Sequence, residues 1–172
     1  GLPLLFVLYL AVVPAYHGQY AFLFAFLLCL DAGLFAIAIW RGPQALHTLG
    51  GATTLLVFLA WWAQSVLPGQ RGVGWPAILG FVSLFVVFYL GSDLVARRRR
   101  PVPASIGSLA VHTAPLLLFM FPALAATEPS CASPGLPFLV LFVLLGLIAA
   151  FAVLQDAGAG YFAGAFLALA TE

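Results

Sequence analysis

"YAFLFAFLLCLDAGLFAIAIW", Tyr20 to Trp40, is an apolar run long enough to cross a bilayer, interrupted at its middle by one carboxylate, Asp31. A span needs ~20 predominantly apolar residues, and this stretch meets that length with turn-forming residues on both sides. Whether it lies in lipid or in a protein core is decided by the rest of the chain. Of its 172 residues, 65% are hydrophobic and 6% are charged, and the mean hydropathy is +1.17. A soluble domain has roughly a quarter of its residues charged. So few charges cannot cover a water-facing surface, so the expected solvent is lipid.

Working outward with a window of about 19 residues, seven apolar segments emerge: Leu2–Tyr16, Tyr20–Trp40, Leu46–Leu67, Trp75–Ala96, Ser105–Ala126, Leu136–Leu154 and Gly158–Ala170. Short breaker-rich stretches separate them, among them "HGQ", "RGPQA", "PGQRGVG", "RRRRPVPA", "TEPSCASPG" and "QDA". Their length exceeds that of a tilted barrel strand and they lack in/out alternation. Backbone polar groups must be satisfied internally in hydrocarbon, which leaves helices. The expected fold is therefore all-α, a polytopic transmembrane bundle of about six full spans and a partial seventh, forming a single domain over residues 1–172. The first and last segments fall short of a full span, which predicts an excerpt of a longer chain. No signal peptide is recognisable, because the first apolar run has no basic flank.

Arginine sets the expected orientation. All six basic residues are arginine, and five of them, Arg41 and Arg97 through Arg100, fall in connections on the same side if the helices alternate. The positive-inside rule then places residues 41–45 and 97–104 in the cytoplasm, in a bacterial inner membrane. Tyr16, Tyr20 and Trp75 would form an outer aromatic belt, with Trp40 at the inner interface. The cluster Arg97, Arg98, Arg99 and Arg100 reads first as a topology anchor. It is also a lipid-facing patch that would attract an anionic cytoplasmic leaflet by ~1 kcal/mol per residue. A net charge of +1 with no second basic patch excludes nucleic acid as a partner. The expected partners are membrane lipids and further helices or domains of the same longer chain.

Asp31 carries most of the functional interest. Its helical neighbours Leu27, Leu28, Leu34 and Phe35 cannot pair with it. A charged carboxylate at mid-span costs ~2.5–3.5 kcal/mol or more to insert, so a partner on another helix, water or a proton is required. Counting from the outer ends at 1.5 Å per residue, Asp31 lies about 16 Å deep, Thr54 about 20 Å and His112 about 21 Å. Thr53 and Thr113 adjoin them. These five residues could form one polar layer, either a proton relay or ion site or an interhelical hydrogen bond worth ~0.6–2 kcal/mol. The second reading is favoured, because no other mid-membrane carboxylate is visible. Asp93 precedes Arg97 by four residues, the favourable order for an interfacial salt bridge on one helix. Gly160 and Gly164 form a GxxxG packing signal, and Pro115 and Pro122 are expected to kink the fifth segment.

Cofactor and metal signatures are absent. His17, His47 and His112 are expected at three different depths, outer surface, inner surface and between them, and no HExxH, CxxC or Walker pattern occurs. Cys29 and Cys131 should lie at different membrane depths, so no disulfide is expected.

Two longer stretches carry a resemblance: "YAFLFAFLLCLDAGLFAIAIWRGPQALHTLGGATTLLVFLAWWAQ" and "FVSLFVVFYLGSDLVARRRRPVPASIGSLAVHTAPLLLF". The order of an aromatic-rich helix with Asp-Ala-Gly-Leu, an arginine hairpin, a Gly-Thr helix with tryptophans and a helix ending in arginines resembles large bacterial multi-pass predicted membrane proteins of unknown function. The resemblance implies a slice of a many-helix integral membrane protein and supplies no catalytic or binding residues. Three functions remain open: a structural or scaffold module of a larger multi-pass protein, which leads; a transporter or channel using Asp31 with His112; and an intramembrane or envelope-biogenesis enzyme.

Overall fold

A computed structural model of the chain describes residues 2–13, 19–41, 45–65, 75–99, 112–121 and 135–155. Among the described residues every regular element is a helix and none is a strand: α1 (Leu2–Val12), α2 (Tyr20–Arg41), α3 (Ala45–Ser65), α4 (Trp75–Arg99), α5 (Thr113–Leu117) and α6 (Gly135–Gln155). Helices α2, α3, α4 and α6 are long and apolar enough to cross a membrane, as expected of a membrane protein. Helix α1 is a shorter apolar helix of 11 residues. The seventh segment, with Gly160 and Gly164, and most of the fifth lie outside the described residues.

Prolines mark where helices begin. Pro3, Pro76, Pro115 and Pro137 all fall in the first turn of their helices, where a backbone N–H has no intrahelical acceptor to lose. Pro115 therefore stands at the start of α5. The departure from α geometry comes after it, in tighter bonds from Leu118 N–H to the Pro115 carbonyl (3.1 Å), Phe119 N–H to Leu116 (3.1 Å) and Phe121 N–H to Leu118 (3.0 Å).

The chain gathers into two compact units. One comprises Gly1–Val73 with Val95–Ala110, and the other comprises Gly74–Leu94 with Val111–Glu172. In the first, α1 packs against both α2 and α3, and α2 packs against α3. The ring pairs Tyr20–Trp61, Phe24–Phe58 and Phe35–His47 run up α2 as they run down α3, so these two helices are antiparallel. Buried positions recur every three or four residues: Leu23, Phe24, Leu27, Asp31 and Ala38 on α2, and Thr54, Val57, Phe58 and Trp61 on α3. This is the apolar stripe of one helical face. Leu4, Val7 and Ala11 of α1 are buried at the same spacing, and Phe6 meets Phe26 edge-on at 6.4 Å.

In the second unit, Ile78, Leu79, Val82, Phe85, Val86, Tyr89 and Leu90 make a broad buried face on α4. Helix α6 buries the narrower line Leu141, Leu144, Ile148 and Ala152, and exposes Phe138, Phe142, Val153 and Leu154. Such exposure is stable in hydrocarbon and unusual against water.

Candidate functional site

The sequence leaves Asp31 without a partner on its own helix, and α3 supplies one. Thr54 Oγ1 donates a hydrogen bond to Asp31 Oδ2 at 2.5 Å, and both residues are 0% exposed. The antiparallel packing of α2 on α3 brings the middle of one run against the middle of the other, so the bond forms at mid-span.

The other carboxylate oxygen lies against a glycine. A Cβ placed on Gly50 would come 2.8 Å from Asp31 Oδ1 and 3.4 Å from Leu34 Cδ1. A side chain at position 50 requires the Asp31 carboxyl, and with it the bond to Thr54, to shift. Gly50 and Thr54 are four residues apart, and so share a face of α3. That face presents a notch and a hydroxyl to one carboxylate.

Neighbouring Thr53 behaves differently. Its Oγ1 donates to the Leu49 carbonyl at 2.8 Å, four residues back on its own helix. Ser83 does the same toward Leu79 (2.7 Å), and Ser92 donates to Tyr89 (3.0 Å). Such local bonds satisfy a hydroxyl in an apolar medium without joining two helices. Thr53 and Thr54 differ by one residue, about 100° around the helix, and that rotation separates a local bond from an interhelical one.

The remaining expected site residues distribute as follows. His112 is half-buried and Thr113 buried, both in the second unit, whereas Asp31 and Thr54 belong to the first. Asp93 is buried near the end of α4. Arg98 is exposed. The side chains of Arg97 and Arg99, and all of Arg100, lie outside the described residues, as does the expected Asp93–Arg97 bridge. Cys29 is a free, exposed thiol.

Compared with known proteins, the chain matches no family model, no curated protein and no solved structure.

Two further residues line the seam. Gly50 lies one turn before Thr54 on α3. His47, in the first turn of α3, is 8% exposed, and its ring centroid lies 4.9 Å from that of Phe35. The spacing of 47, 50 and 54 puts all three on one face of α3, which is the signal that could have found them. Among the described residues no group of three or more His, Cys, Asp or Glu side chains could hold a metal ion.

Proposed function

We propose that the chain is a multi-pass module of the bacterial inner membrane whose role is structural, holding helices together within a larger membrane protein. The observation that carries this reading is the Asp31–Thr54 bond, closed over Gly50. The mid-span carboxylate joins α2 to α3 in a seam closed to solvent. An interhelical bond of this kind contributes ~0.6–2 kcal/mol, offsetting part of the cost of inserting the acid. The resemblance to large bacterial multi-pass proteins supports the same reading. So do the arginines, which put residues 41–45 and 97–104 on the cytoplasmic side, facing an anionic leaflet.

Two measurements test this. Reporter fusions after residues 43 and 101 should report the cytoplasm, and a periplasmic signal from either would contradict the orientation. In proteoliposomes, a structural module gives no pH-gradient-driven flux. A flux abolished by Asp31→Asn with the fold intact would replace the structural reading with a transporter.

A further inference from the structure

The seam between α2 and α3 is closed differently toward its two ends. Toward Tyr20 it is filled by rings: Phe24 stacks on Phe58 at 4.4 Å and meets Trp61 edge-on at 5.3 Å. None of these side chains takes up or releases a proton near neutral pH. Toward Arg41 the seam holds His47, the side chain whose ordinary titration falls in that range.

Two independent paths place this imidazole beside the acid. On α2, Phe35 is one turn beyond Asp31, and its ring lies 4.9 Å from that of His47. On α3, His47 is three residues from Gly50, whose Cβ position would lie 2.8 Å from Asp31 Oδ1. Neighbours three or four apart on a helix are about 5–6 Å apart, so His47 stands one turn from Asp31 along the seam. It is also in the first turn of α3, beside the connection from α2.

We propose that Asp31 and His47 form a proton-exchanging pair. The ligand is a proton. It leaves an imidazolium N–H of His47 for a carboxylate oxygen of Asp31, so that the charged pair becomes a neutral imidazole and a neutral carboxyl, and the reverse transfer restores the charges. Among the described residues, few other titratable groups lie on the helices that form this seam. Helix α1 carries Tyr9, which is exposed, and α2 carries Cys29, also exposed, with Tyr20 and Arg41 at its two ends. Arg98, the described cation at the end of α4, is exposed as well. This inference stands apart from the structural reading, whose failure would appear in stability or flux rather than in titration.

The test is an NMR titration of the full chain in lipid nanodiscs, labelled with 15N-histidine, in the native sequence and in Asp31→Asn. Asparagine keeps an acceptor oxygen for Thr54. The titration midpoint of His47 should move by about one pH unit or more, as for directly interacting sites, while His17 and His112 hold still. An unmoved His47, or a shift of His112 in its place, would overturn the pair. If Asp31→Asn does not fold, the reciprocal measurement decides: the 13C carboxyl titration of Asp31 should shift by a similar amount in His47→Gln, and no shift would reject the proposal.

Discussion

Helices α3 and α6 are alike in length and both are long and apolar enough to span a membrane, yet they solve opposite problems. Helix α3 is the less apolar of the two and the more buried. It carries His47, Gly50 and Thr54 on the face that meets α2. Helix α6 is the more apolar and the less buried, with one narrow line of contact residues and broad exposure of Phe138, Phe142 and Leu154. Lipid tails are as apolar as leucine, so a lipid-facing helix gains nothing from polarity, whereas a helix–helix seam gains close approach from glycine and directionality from a hydroxyl. Between these two helices, polarity collects on the face that meets a neighbour, and hydropathy is higher on the helix that is mostly exposed.

That contrast can be broken by substitution, with unfolding in detergent as the readout. The largest effect should come from Gly50→Leu. Overpacking costs about 3 kcal/mol here, because the added side chain meets the Asp31 carboxyl and Leu34. Wild-type stability in that variant would mean that α2 and α3 do not approach as described. Next, Leu144→Ala on the buried line of α6 should cost about 2 kcal/mol, and a neutral result would make that line a lipid surface. Thr54→Val removes the hydroxyl at nearly constant volume, and about 1 kcal/mol should be lost. The paired control Thr53→Val should change stability by no more than about 0.5 kcal/mol, since its hydroxyl serves its own helix. Equal losses from the two threonines would erase the distinction between them. Smallest of all, Phe142→Leu on the exposed face of α6 should be indistinguishable from the native chain.

Much of the helical architecture was legible before any coordinates. The run Tyr20–Trp40 became α2 to within a residue, and Leu136–Leu154 became α6 with one residue added at each end, because proline, glycine and polar breakers bound both runs. The meeting of Asp31 with Thr54 was legible too, since a constant rise per residue converts position into depth. Rotation was not. Depth alone could not separate Thr53 from Thr54, nor place His47, whose burial follows from facing Phe35 rather than from its distance to a helix end. Gly50 carries no signal of its own, because glycine is frequent in this chain and the carboxyl it lies against comes from another helix.

A double-mutant cycle bears most directly on the interhelical lock. Asp31→Ala, Thr54→Ala and the combined variant would be compared by reversible unfolding in the same detergent. A coupling energy of about 1 kcal/mol between the two sites is the predicted result. Strict additivity, with each loss independent of the other, would mean that the carboxylate and the hydroxyl do not hold α2 and α3 together.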